Sequence, residues 1–117
     1  MVDIAQFNIA VERLTKKEHV ITVFVSSRAG VFAFGETPKM TDRSMYSAIT
    51  SMMLGAAEQM ASEMDEILEF VLLSMSEKKL IVFGAGQKHL LGILMDIKGD
   101  PELIAKEARA VLAEVMV

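Results

Sequence analysis

Few residues in this chain carry side chains that do chemistry, and their spacing completes no catalytic or ligand-holding pattern. There is no cysteine, which removes thiol catalysis and disulfide scaffolding. The two imidazoles, His19 and His89, each precede an apolar run and have no second histidine at helical spacing, so they read as surface or turn residues. Gly84-Ala85-Gly86 begins like a dinucleotide-binding loop, but the pattern then needs glycine at position 89, which is His89, and a helix where this sequence enters a strand. It reads as a hairpin turn. The phosphate loop ending in Gly-Lys-Ser/Thr is absent, so the chain is not itself a GTPase of that class. Ser26, Ser27, Ser74 and Ser76 lie outside any Gly-x-Ser-x-Gly elbow. Glu58, Glu63, Asp65 and Glu66 gather around one helix end, where solvated carboxylates are the plain reading. No catalytic residue, metal or cofactor is expected.

Bulk properties narrow the class further. A chain of 117 residues with net charge -4 and 24% charged residues has enough Leu, Ile, Val and Met to fold, as one domain spanning residues 1–117. Its basic residues are scattered, as in Lys16-Lys17 and Lys78-Lys79, which gives no footprint for nucleic acid. Polar residues interrupt every apolar run before a membrane span is reached, and residues 1–7 lack a secretory signal, so a cytoplasmic protein is expected. Hydrophobic residues make up 52% of the chain; with Gly counted and Tyr omitted they are 67 of 117, or 57%. Ordinary soluble domains hold roughly 45–50%. A domain this small has little interior for the surplus, which points to burial against another chain.

The elements that must position these residues follow from periodicity. Ile4, Phe7, Val11 and Leu14 recur at helical steps, with Asp3 as the expected cap. Residues 20–25 are β-branched and apolar, a strand buried on both faces, and residues 31–34 return as its hairpin partner. A long helix is predicted over residues 42–64, capped near Thr41 or Asp42. Steps of about 100° place Met45, Ile49, Met52, Met53, Ala56, Ala57, Met60 and Met64 on one arc, expected to cover the sheet. Three strands follow at residues 67–75, 80–83 and 90–95, then a helix capped by Asp100 with Pro101 at its first position and Ile104, Ala108, Val111 and Val115 inward. The order α-β-β-α-β-β-β-α predicts an α+β domain, an antiparallel five-stranded sheet with helices on both faces.

Two features stand out. On the side opposite the methionines, Ser44, Ser47, Ala48, Ser51, Gly55 and Ser62 replace the Lys and Glu of an ordinary exposed helix face. Small side chains there admit a second helix at close range, or simply make a polar surface. The run Phe70, Val71, Leu72 and Leu73 is apolar at consecutive positions, as suits either a sheet edge that pairs with another chain or a covered central strand.

In element order, and in the segments Arg28-Ala29-Gly30-Val31-Phe32-Ala33, Ser44 to Met64, Leu68 to Leu73, Lys79 to Phe83 and Leu90 to Leu94, the chain resembles the roadblock family. That family is named from a dynein light chain and includes bacterial gliding-motility proteins that act on a small Ras-like GTPase. The resemblance implies a roadblock/profilin-like fold. It also implies a homodimer, or a heterodimer with a roadblock paralogue, joined through the third strand with the long helices side by side. The expected function is a non-enzymatic scaffold or regulator that binds a small Ras-like GTPase, with Arg43 near the long-helix start as a contact residue. The alternatives are an assembly subunit indifferent to nucleotide state and, third, a small-molecule sensor. Gly55→Arg is expected to split the dimer, read as a fall in solution mass by light scattering; an unchanged mass counts against this interface.

Overall fold

The computed structural model describes residues 4–115. Its elements are α1 (Ile4–Thr15), β1 (Val20–Ser27), β2 (Phe32–Gly35), α2 (Arg43–Glu63), β3 (Val71–Ser74), β4 (Lys78–Ala85), β5 (His89–Asp96) and α3 (Pro101–Val115). The strands form one sheet in the order β2-β1-β5-β4-β3, with every neighbouring pair antiparallel. This is the element order and fold class read from the sequence.

Local signals set most boundaries. The Asp42 carboxylate accepts from the backbone N–H groups of Ser44 at 2.9 Å and Met45 at 3.3 Å, supplying partners for two of the unpaired donors at the start of α2. Asp100 does the same for Glu102 at 3.0 Å, with Pro101 opening α3. Asp3, the expected cap of α1, lies outside the described residues. Gly86, at φ 78, sits in the β4–β5 turn, so the glycine pair closes a hairpin as expected.

Strand alternation gives the sheet two apolar faces. On one, Val23, Val25, Ile81, Phe83, Leu91 and Ile93 pack beneath α1 and α3, which contribute Phe7, Val11 and Leu14 and then Ile104, Ala108 and Val111. On the other, Phe24, Leu80, Val82, Leu90 and Leu94 pack beneath Leu54 of α2. Here Gly92 lies opposite Phe24 in the ladder, and the Phe24 ring occupies the space a side chain at Gly92 would need. The ring also meets Tyr46 edge-on, with centroids 5.0 Å apart, and burial pushes the Tyr46 hydroxyl up to about 12.

The third strand is shorter than the expected residues 67–75. Only Val71–Ser74 pair, and β3 is an edge strand, which settles the alternative of a covered central strand. Phe70 precedes it and packs against the α1 and α3 side of the sheet.

The ends of β1 and β5 are joined by a side-chain hydrogen bond and a backbone one. The His19 ring nitrogen Nδ1 lies 3.1 Å from Asp96 Oδ2, and the Asp96 N–H donates to the His19 carbonyl at 2.9 Å. The His19 hydrogen bond holds the Asp96 carboxyl below its ordinary value of 3.8. A carboxylate favoured in the folded chain contributes stability above its unfolded-state pKa and loses it as pH falls through the folded value. Asp96→Asn should therefore lower the urea midpoint at about pH 6, with the gap to wild type closing below about pH 4; a gap constant across that range would refute the pairing.

Candidate interaction surface

What approaches α2 decides how it sits. Its buried residues are Ser47, Thr50, Leu54 and Ala61, a line of mostly small side chains turned to the sheet. The turn between β1 and β2 meets the helix at its flank. Gly30, at φ 89, lies so near that a Cβ there would come within 3.1 Å of Ala48 Cα. Ser51 Oγ donates to the Arg28 carbonyl from the same side. The Arg28 guanidinium then donates from Nη1 to Glu58 Oε1 at 2.7 Å and from Nε and Nη2 to the Gly86 carbonyl at 3.3 and 3.2 Å. One arginine thus ties α2 to two hairpin turns.

This geometry corrects the expected orientation of α2. The methionine arc does not cover the sheet: Met45, Ile49, Met52, Ala56, Met60 and Met64 are exposed, while Met53 and Ala57 are half-buried at its margin. Of the small residues expected to meet a second chain, Ser47 is fully buried in its own protomer and half-buried Ser51 is bonded to the Arg28 turn. Ser44, Ala48, Gly55 and Ser62 are exposed, at the border of the methionine face rather than opposite it. The physical reason is the close approach of the Arg28 turn and the sheet, which only small side chains allow.

The outer face of α2 is consequently apolar. Met45, Met52 and Met60 are 60%, 71% and 61% exposed, with Ile49 and Ala56 among them and Gly55 at their border; the hydrogen-bonded pair Gln59 and Glu63 is the polar exception toward the C-terminal end. A surface helix normally turns charged residues to water, so this face reads as unpartnered. Sequence reasoning missed it because apolar periodicity was assigned to the interior. The available signal was that Thr50, Leu54 and Ala61 form a second, narrower stripe with Ser47.

Beside α2 lies the β3 edge. Val71 and Leu73 pair with Val82 and Leu80 on the α2 face of the sheet, and Leu72 pairs with Ile81 on the other. Leu72 and Leu73 are 43% and 40% exposed, and among the described residues no strand pairs with the outer side of β3. An edge of this kind offers its backbone N–H and C=O groups to a further strand.

The remaining residues singled out by the sequence are dispersed. Arg43 stacks its guanidinium over the Phe32 ring, 4.3 Å from the centroid. His89 packs its ring against Phe7 at 4.8 Å, and His19 belongs to the Asp96 pair. Among the described residues no group of three or more His, Asp or Glu could hold a metal, and no helix is long and apolar enough to cross a membrane.

Residues 7–95 match the Roadblock/LC7 domain family. No curated protein matches in sequence. Among solved structures, the MglB protein of Myxococcus xanthus superposes with a TM-score of 0.83 at 16% identity, covering 97% of this chain and 87% of that one. The gliding protein MglB of Thermus thermophilus gives 0.78 at 17% identity, with coverage of 96% and 89%. A structure described as MglB with a tetrameric arrangement gives 0.77 at 18%, with 96% and 90%. At these identities the likeness establishes the fold.

The orientation of α2 makes a direct prediction. Leu54, 2% exposed, should cost about 2–5 kcal/mol when changed to Ala, whereas Met52→Ala should stay within about 0.5 kcal/mol in dilute protomer. Urea unfolding of the two variants checks this, and a larger loss for Met52 would mean that the helix is rotated.

Proposed function

Since the chain belongs to the Roadblock/LC7 domain family, we propose that it is a dimeric regulatory module without catalytic chemistry of its own, which binds a small Ras-like GTPase. The observation that carries the dimer is the adjacency of two unpartnered surfaces: the outer face of α2 and the free edge of β3 beside it. A two-fold axis near this border would set the two α2 helices side by side and continue the sheet from β3 to β3. Both steps bury apolar side chains and pair open backbone groups, and one self-complementary patch supplies both.

Gly55 lends itself to a test of this interface. Nothing lies within 4 Å of the position its Cβ would take, so Gly55→Arg leaves the protomer's packing intact and acts on the pairing alone.

The GTPase reading rests on family membership and on the absence of a complete catalytic pattern in the sequence. If the module stimulates hydrolysis, it does so by ordering the partner's own catalytic groups, an added arginine being only one way to stabilise phosphoryl transfer, and Arg43, exposed beside Phe32, is the candidate contact residue. A regulator that responds to nucleotide state must bind the two states with different affinity. Titration of the dimer with small Ras-like GTPases of the source cell, loaded with GDP or a non-hydrolysable GTP analogue, should show affinities at least about tenfold apart, or about 1.4 kcal/mol. Equal affinities would indicate a nucleotide-indifferent assembly subunit, and the lack of any complex would refute the GTPase reading.

A further inference from the structure

The outer face of α2 is distinguished by its sulfur. At about 100° per residue, Met45 and Met52 lie about 20° apart around the α2 axis and Met60 about 80° from Met52, so the three thioethers share one broad outward face of the helix. All three are more than half exposed in the protomer. A helix face that only needed apolar area could use Leu, which has comparable volume and no oxidisable atom. Met95, by contrast, is fully buried in the α1 and α3 core, and Met53 is half-buried.

We propose that Met45, Met52 and Met60 form a modification site for peroxides, and that their conversion to sulfoxides dissociates the dimer. This inference rests on the α2 pairing proposed above. In each step a sulfur lone pair attacks one oxygen of hydrogen peroxide. The S–O bond forms as the O–O bond breaks, and the second oxygen leaves as water after proton transfer. Sulfur loses two electrons and the peroxide gains them. The product is a methionine sulfoxide, whose S–O dipole is a strong acceptor on what had been an apolar surface. Burying that acceptor against a second apolar helix leaves it without a donor, so the oxidised face favours the free protomer.

Linkage gives the device its direction. The sulfurs are open to solvent in the protomer and covered in the dimer, so oxidant reacts with the dissociated species and draws the equilibrium toward it. Reduction of the sulfoxides restores the apolar face and with it the pairing. Met40, fully exposed on the loop before α2, provides an internal reference, because its oxidation touches no helix face.

The experiment treats purified protein with hydrogen peroxide, maps sulfoxides by peptide mass spectrometry and measures the dimer dissociation constant by sedimentation. Met45, Met52 and Met60 are expected to oxidise well before Met95, with the dissociation constant rising about tenfold or more. Methionine sulfoxide reductases acting on both epimers should return it to the starting value. The variant Met45→Leu/Met52→Leu/Met60→Leu should stay dimeric under the same treatment even though Met40 oxidises. The inference is overturned if the three sulfoxides form and the constant moves less than about twofold, if Met95 oxidises as fast as Met52, or if the leucine variant dissociates equally. A stable dimer that ignores its sulfoxides removes the redox inference alone, whereas untreated protein that is monomeric removes the pairing on which it rests.

Discussion

The contact between the Arg28–Gly30 turn and helix α2 sets the arrangement of everything on that side of the sheet. Gly30 comes so near the backbone at Ala48 that a side chain at position 30 would need displacement, and Ser51 closes the contact with a hydrogen bond to the Arg28 carbonyl. A helix has one rotation about its axis. Once Ser47, Thr50, Leu54 and Ala61 face inward, every other residue is assigned at about 100° per step. The Arg28–Glu58 ion pair is half-exposed and is worth at most about 1 kcal/mol, so its part is positional. Burial of Leu54 beneath the helix, together with the Phe24–Tyr46 ring contact, supplies the cohesion.

The two faces of the sheet are unequal as a result. The α1 and α3 side is covered by two helices that bring large side chains, and it holds most of the buried apolar residues. The α2 side is covered by a single helix that meets the sheet mainly through Leu54 and small residues. Its larger apolar residues therefore have nowhere to go but outward. Exposed apolar residues also occur singly elsewhere, as at Ile9, Val31, Met40, Ile97 and Leu103, but on this outer face and the neighbouring β3 edge Met45, Ile49, Met52, Met60, Leu72 and Leu73 lie together, where one second surface can cover them.

Much of this was legible in the residues. The capping carboxylates Asp42 and Asp100, the β-branched run of β1, the glycine-closed hairpins and the inward line of α3 are local signals, and the structure places each of them where periodicity and turn chemistry put it. The candidate surface was legible only in part. The apolar β3 run was visible as either an edge or a covered strand, and the sheet order makes it an edge. The methionines were visible as a face, but the face was assigned to the wrong side.

Sequence alone thus determined the element order, the fold class and the family likeness, because spacing, capping and turn residues act within a few positions of themselves. It also showed that α2 has two different sides. Which side turns inward was decided by tertiary structure, since the answer depends on how closely the Arg28 turn and the sheet approach, and both are remote from α2 in the chain. Small residues pack where backbones meet closely, and this contact lies inside the protomer. Met45, Met52 and Met60 are therefore not filler for a small core, as Met95 is; they form the surface that the core leaves uncovered.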